Sequence, residues 1–394
     1  MSATLPPDLL MFGETYHHPN LLYKTGFLAP DPVVYVEAGG VGRLFTSIME
    51  SGRARKESRV QEVHDFEEFG ARELFSRAGG GYQGYAELIR RILADAGLSA
   101  VSVEPDFPFL LADRLRAADI EIMAATDYFR ALRRRKRPDE IERIAAVEMA
   151  GLRGLRAAIQ LIASSRVASD GVLQHDGRPL TSERLHAAIE TSLIADGCTT
   201  EDTIAAGGPQ SADPHAHGTG PLRAGQPIVL DIYPFDKATR YWGDLTRTVV
   251  AGQPSLQLQR MHAAVLAAQE EGLRMVRPGV NGRDIHRAVC RVLHEAGYSS
   301  LIPEYAQPPS AARFIHGTGH GLGLEIHEQP SIGDLDSVLE EGDVVTVEPG
   351  LYDPELGGVR IEDLVVVTTD GHRNLTLYPK GLSPVELAAA HLPA

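Results

Sequence analysis

The sequence predicts a two-domain protein of the α/β (α+β) class, in which the larger, C-terminal domain contains an internal repeat. A chain of 394 residues is too long for one ordinary hydrophobic core. Strand-like and helix-like segments alternate along it, and the second half repeats one pattern of helix, strand and acidic residue. The content of 43% apolar and 23% charged residues is that of a globular protein.

The N-terminal part has the pattern of a mixed α/β domain. An apolar run at residues 32–36 lies between proline and glycine and predicts a strand. Residues 85–98 have apolar side chains at helical spacing, and a glycine near the end of the segment is typical of a helix C-terminus, so the segment predicts a helix. Nothing in this part has the pattern of a catalytic site.

The boundary between the domains is predicted at a helix start. Five consecutive basic residues, 133–137, precede Pro138, which two acidic residues follow, as at the first turn of a helix. We therefore expect domains at 1–137 and 138–394. The basic run is interpreted as a solvated linker, because the net charge of −15 argues against nucleic acid as a partner.

The C-terminal domain repeats a helix and a strand that leads to an acid. Residues 185–197 and 285–297 share one helical pattern that closes at glycine. In each copy a later glycine precedes an apolar strand, and an acid stands six residues after that glycine in both copies. Each copy then supplies a second acid after a turn. The four acids are Asp231, Asp244, Glu348 and Glu362. The repeat predicts that they meet in one place.

Four acids in strands of buried type predict a divalent metal site. Buried carboxylates repel one another and are costly unless a cation compensates them. The glycine-rich segment 314–327 adds three histidines, His316, His320 and His327. A phosphate-binding loop is the competing interpretation of its glycines, but the segment lacks the Lys-Ser/Thr ending. Oxygen ligands with one imidazole suit Mn, Co, Fe or Zn.

The sequence resembles the creatinase/aminopeptidase P/prolidase family of metallopeptidases. The resemblance rests on the stretches VLDIYPFDKATRYWGDLTRTV, FIHGTGHGLGLEIHE, VVTVEPGLY and GVRIEDLVVV. It implies a C-terminal pita-bread domain with a pseudo-two-fold repeat, as in methionine aminopeptidase, and a smaller creatinase-like α/β domain before it. It also suggests a homodimer.

The resemblance assigns roles to the residues of these stretches. Asp231 would bind one metal ion, His320 and Glu348 mainly the other, and Asp244 and Glu362 would bridge them. Two metal ions, with Mn preferred and Co, Zn or Fe as alternatives, would supply a bridging hydroxide nucleophile.

Four further residues correspond to the family's substrate-side and supporting groups. They are His215, His316, His327 and Arg360. The histidines would hydrogen-bond the peptide and the tetrahedral intermediate, and Arg360 would orient a ligand. His217 competes with His215, because the loop length differs here.

The chain departs from the family pattern in two places. The family has Asp-x-Gly at the first ligand, whereas this chain has Tyr233 at the glycine position. The following hairpin is longer and contains Asp236 in its turn, a competing acid that we do not assign as a ligand. In addition, residues 328–343 contain six acids but no arginine or lysine that could hold a dipeptide's carboxylate.

The sequence therefore predicts a dinuclear-metal hydrolase, in first place an Xaa-Pro aminopeptidase. The alternatives are a prolidase-type dipeptidase and a non-peptide small-molecule hydrolase or lyase of ectoine hydrolase type. A non-catalytic binding module is disfavoured, because all five ligand positions are retained. The expected partners are a peptide or small amide substrate, without nucleic acid or membrane. Two cysteines and the lack of a signal-peptide pattern predict a cytoplasmic protein.

Overall fold

A computed structural model describes residues 8–392, and the chain divides into two compact units, Met1–Arg133 and Arg134–Ala394. The helices and strands of the first unit are β1 (Asp8–Gly13), α1 (Pro19–Thr25), β2 (Val33–Ala38), β3 (Val41–Thr46), α2 (Ile48–Glu57), β4 (Glu62–Asp65), α3 (Ala71–Ala78), α4 (Gly81–Asp95), β5 (Ala100–Val103), α5 (Phe109–Arg116), β6 (Glu121–Ala124) and α6 (Thr126–Leu132). Within residues 8–392, no helix has the length and apolar character needed to cross a membrane.

The first unit is built on one mixed sheet of six strands, in the order β4-β3-β2-β1-β5-β6. Successive side chains of β1 point to opposite faces, as the pleat requires. Leu10 and Phe12 belong to one apolar cluster, which contains residues of α3, α4 and α5. Leu9 and Met11 belong to a second cluster with residues of α1, α2 and α6. The unit therefore has helices on both faces of its sheet.

Both elements predicted in this unit are present. The strand expected at 32–36 overlaps β2, which begins one residue later, and the helix expected at 85–98 overlaps α4, which ends at Asp95. The helix ends before Gly97 because that residue has a φ of 69°, and the Leu98 amide donates back to the Leu93 carbonyl at 2.8 Å.

The second unit begins with a long helix that Pro138 starts, as predicted. Its helices and strands are α7 (Pro138–Ala163), β7 (Arg166–Val167), β8 (Leu173–His175), β9 (Arg178–Pro179), α8 (Ser182–Ala195), β10 (Cys198–Thr199), β11 (Thr203–Gly207), β12 (Pro227–Ile232), β13 (Phe235–Asp236), β14 (Leu245–Val250), α9 (Leu256–Met275), α10 (Gly282–Glu295), β15 (Ser299–Ser300), β16 (Arg313–Phe314), β17 (Gly319–Gly321), β18 (Glu328–Ile332), β19 (Val344–Val347), β20 (Gly350–Asp353), β21 (Gly357–Arg360), β22 (Asp363–Val367), β23 (His372–Asn374) and α11 (Pro384–Ala389).

The internal repeat is visible in corresponding elements of this unit. The two repeated helices are α8 and α10, and each half contains an antiparallel strand pair, β12 with β14 and β19 with β22. Asp231 lies inside β12, whereas the other three acids lie one residue outside a strand. Asp244 precedes β14, Glu348 follows β19 and Glu362 precedes β22. The sequence pattern suggested that all four acids are embedded in strands; this holds for Asp231, whereas the other three acids flank strands.

The interpretation of the basic run as a solvated linker is wrong. Lys136 is buried, and its side chain is only 1% exposed. Arg134 forms two bonds of 2.9 Å with the carboxylate of Asp343, which is fully buried. Arg134 and Lys136 therefore pack into the second unit, because acidic partners that are distant in sequence compensate their charges, whereas the Arg135 side chain is 69% exposed.

Candidate functional site

One cavity of about 720 Å³ in the second unit is lined by every residue for which the sequence predicts a role. The five predicted ligands that line it are Asp231, Asp244, His320, Glu348 and Glu362. The other predicted residues in its wall are His215, His217, His316, His327 and Arg360. Asp236 is not in the wall; its side chain accepts hydrogen bonds from the Ala238 and Thr239 amides within the turn.

The imidazole of His320 faces two of the acids. Its Nε2 lies 3.6 Å from Asp244 Oδ2 and 3.3 Å from Glu348 Oε1. Its Nδ1 lies 3.1 Å from the carbonyl oxygen of Gly321. A proton on Nδ1 would donate to that carbonyl and leave the Nε2 lone pair directed at the acids, which is the tautomer that a metal ligand needs.

The acids are buried close together, and this crowding changes their proton affinity. Burial raises the pKa of Asp231, Asp244 and Glu362, and the negative charges of neighbouring acids raise it further, although the charge of Arg360 partly offsets the rise at Asp231. Burial also raises the pKa of Glu348, but the hydrogen bond and charge of His320, when its ring is protonated, outweigh it and bring the value to about 2. The ionised acids therefore need additional positive charge.

The arrangement suits a divalent cation. Asp244, His320 and Glu362 each offer one ligand atom, and these atoms lie within 4.8 Å of one another. Asp231 and Glu348 line the same cavity. A cation at this position would compensate the repulsion among the carboxylates, and oxygen with imidazole donors is a set that first-row divalent metals accept.

Side chains that the sequence analysis missed hold the acids in place. Thr246 donates to Glu362 at 2.6 Å, and Thr346 donates to Glu348 at 3.1 Å. Glu148, on α7, accepts from the backbone amide of Asp244 at 2.9 Å, and burial raises its pKa to about 7. Glu148 was detectable in principle, because it is an acid on the apolar face of its helix.

Arg360 and His316, which both line the cavity, are joined through Tyr352. The guanidinium of Arg360 donates to Asp231 and, at 2.9 Å, to the hydroxyl of Tyr352. That hydroxyl lies 2.8 Å from Nε2 of His316, whose Nδ1 lies 2.7 Å from the Gly317 carbonyl. Both ring nitrogens of His316 thus have protein partners, and burial lowers its pKa to about 4.

The other histidines of the wall differ in their partners. His217 Nδ1 lies 2.8 Å from a carboxylate oxygen of Asp202. The rings of His215 and His327 make no hydrogen bond within residues 8–392. His327 lies edge-on to His320, with ring centroids 4.4 Å apart. Tyr233, at the departure from the family pattern, also lines the cavity.

Comparison with known proteins identifies relatives over most of the chain. The Xaa-Pro dipeptidase of Pyrococcus horikoshii is 31% identical over 287 residues, which cover 71% of this chain and 74% of that protein. An uncharacterized peptidase of Bacillus subtilis, YqhT, is 40% identical over 183 residues, and the alignment spans only about half of that relative, 48% of its length.

The same fold is found in solved structures. The X-Pro aminopeptidase from Thermotoga maritima superposes with a TM-score of 0.78 at 26% identity, over 95% of this chain and 97% of that one. The predicted two-domain architecture with a pita-bread domain is confirmed. The profile of metallopeptidase family M24 matches residues 140–369, which is more than half of the sequence. The chain therefore belongs to metallopeptidase family M24.

Proposed function

We propose that the protein is an Xaa-Pro aminopeptidase, which uses two divalent metal ions to remove the N-terminal residue of peptides with proline in second position. The observation that carries the proposal is the meeting of Asp231, Asp244, His320, Glu348 and Glu362 in one cavity. Family membership supplies the class of reaction, and the relatives named Xaa-Pro dipeptidase and X-Pro aminopeptidase supply the preference for proline.

These five residues would hold the metal ions, and we prefer manganese because most of the donors are carboxylate oxygens. When bound, divalent metal ions polarise a peptide carbonyl and supply an activated water nucleophile. The protein contributes the geometry of the ligands. Thr246 and Thr346 fix two carboxylates, and Arg360 fixes the orientation of Asp231.

The histidines would bind the substrate. The rings of His215 and His327, which make no hydrogen bond within residues 8–392, can donate to the peptide carbonyl and to the charge that develops on it. His217 is held by Asp202, which supports His215 in the substrate-side role. His316, held between Tyr352 and the Gly317 carbonyl, would contribute a fixed dipole or exchange its Tyr352 partner for substrate.

The charge of the cavity favours an aminopeptidase over a dipeptidase. Of the described residues that line it, Arg360 is the sole arginine or lysine, and its guanidinium contacts Asp231. A dipeptide would bring its free carboxylate into this wall without a cation to pair with. In a longer peptide the same position is an uncharged amide, which the cavity accepts at lower cost.

The test compares an Xaa-Pro dipeptide, its C-terminal amide and an Xaa-Pro tripeptide, with added manganese and after exhaustive chelation. We expect the amide and the tripeptide to have the higher kcat/KM, and activity to disappear with chelation and return with manganese. A clear preference for the free dipeptide would establish the dipeptidase alternative. Hydrolysis of non-peptide amides alone, or full activity without metal, would refute the proposal.

The proposal includes a cytoplasmic homodimer. Both cysteines, Cys198 and Cys290, are buried free thiols, as expected in a reducing compartment. The dimer rests on the family resemblance. Sedimentation analysis of the purified protein, which distinguishes monomer from dimer, tests it directly.

A further inference from the structure

A buried ion pair lies beside the site and has no role in the function proposed above. The ammonium of Lys136 lies 2.9 Å from Glu328 Oε2, and the two side chains are 1% and 5% exposed. Burial of both charges is costly, and a pair of apolar residues would serve stability as well. The pair therefore calls for an explanation other than stability.

The second oxygen of Glu328 holds a turn of the active-site wall. We call residues 322–327 the histidine turn, because it ends at His327. Glu328 Oε1 accepts hydrogen bonds from the backbone amides of Leu324 at 3.0 Å and Glu325 at 3.1 Å. One carboxylate thus joins Lys136 on one side to two amides of the turn on the other.

A glycine of the histidine turn lies against this pair, and Trp242 binds the same turn separately. A Cβ added to Gly323 would lie 2.8 Å from Glu328 Oε2 and 2.9 Å from Lys136 Cε, so only glycine allows the pair to approach the turn so closely. Trp242 donates from its backbone amide to the Gly323 carbonyl at 2.9 Å and from its indole to the Leu324 carbonyl at 3.1 Å.

We propose that Lys136 is a positioning residue that, through Glu328, fixes the histidine turn and thereby the place of His327 in the cavity. The ring of His327 makes no hydrogen bond within residues 8–392 and packs edge-on against His320, so its place depends on the backbone that carries it. Glu328 supplies that restraint from the next position in the chain. The consequence for turnover rests on the proposed function, in which His327 meets the substrate.

The test is Lys136→Met, and the same basic run offers a matched control. Arg134 also pairs with a buried acid, Asp343, and its bonds go to Asp343, Glu340 and the Val338 carbonyl, outside the histidine turn. Arg134→Met therefore removes a comparable ion pair without touching the turn. Both variants, and the wild type, are purified as the full chain.

Two readouts are measured. In metal-free protein, hydrogen exchange of the Leu324 and Glu325 amides should become at least about tenfold faster in Lys136→Met and stay unchanged in Arg134→Met. With manganese and an Xaa-Pro tripeptide, kcat should fall about 10–100-fold in Lys136→Met, with KM and metal content close to the wild type, because His327 is misplaced while the metal ligands are not.

Unchanged exchange and kcat in Lys136→Met, or equal changes in Arg134→Met, would overturn the proposal. If Lys136→Met does not fold, the double variant Lys136→Met/Glu328→Gln removes both charges and is measured in the same way. Wild-type exchange and kcat in that variant would also overturn it. The exchange readout is independent of activity, so a wild type inactive on every peptide would refute the proposed function and leave this inference to be decided by exchange.

Discussion

Replacement of Arg247 by methionine is expected to destabilise the second unit strongly, because the lost guanidinium is buried and all three of its nitrogens are bonded. Its side chain is 1% exposed and lies 2.9 Å from Asp363 Oδ1, itself fully buried. It also donates to four backbone carbonyls. These are Thr246 at 2.9 Å, Glu362 at 2.6 Å, Tyr378 at 2.8 Å and Pro379 at 3.0 Å.

The magnitude follows from what remains after the substitution. Removal of one partner of a buried ion pair costs about 3–5 kcal/mol. Lys380 still lies 2.6 Å from the other oxygen of Asp363, which limits the loss of compensation. The four carbonyls lose a charged donor, and this loss increases the destabilisation. We therefore expect the free energy of unfolding to fall by about 3–5 kcal/mol.

The single tryptophan, Trp242, is buried in this unit, so its fluorescence reports unfolding there. The free energy of unfolding changes by about 3 kcal/mol per molar urea. The midpoint of urea unfolding, measured in the presence of a chelator, should therefore fall by about 1–1.7 M. Arg153→Met, which removes the more exposed pair with Asp196, is the control and should cost less than about 1 kcal/mol. Equal shifts in the two variants would refute the reasoning.

Three further predictions concern the site and the first unit. Glu362→Gln should lower turnover by more than the roughly 10–100-fold that changes outside the ligand shell cause, with its far-UV circular dichroism unchanged; wild-type turnover would remove Glu362 from the ligands. His320→Ala should lose metal by elemental analysis, whereas His327→Ala should keep it and lose about 100-fold in kcat; equal metal loss would mean that the two roles are misassigned. In the first unit, burial raises the pKa of Glu37, but its hydrogen bonds with Lys24 and a tyrosine lower it below its usual 4.5. The ion pair therefore stabilises the fold above about pH 4.5, and this stabilisation is lost as the pH falls through the lowered pKa of Glu37. Between about pH 6 and pH 3.5, the thermal stability of Glu37→Gln should therefore fall less than that of the wild type. An unchanged pH dependence would contradict the assignment.

Much of the architecture and the grouping of the site residues could be predicted from the sequence. The repeat of helix, strand and acid correctly indicated that Asp231 and Glu348 meet, since both line one cavity. The glycine-rich segment correctly placed His320 in the same cavity. The roles of these residues as ligands remain predictions.

What could not be predicted depends on partners that are distant in sequence. Lys136 looks like a member of a solvated basic run, and only the folded chain brings Glu328 to it. Tyr352 looks like an ordinary strand residue, yet it joins Arg360 to His316. A charged or polar side chain is buried when a partner compensates it, and no local pattern contains that information.

The division of the acids between the two halves has a consequence for the order of assembly. Asp231 and Asp244 come from the first strand pair, and Glu348 and Glu362 from the second. A nascent chain in which one half has folded offers only part of this donor set and competes poorly for scarce divalent ions. Capture of metal at the proposed site would therefore come after the halves have docked, and a bound ion would then hold them together, because binding to the native state alone shifts the equilibrium away from the unfolded one.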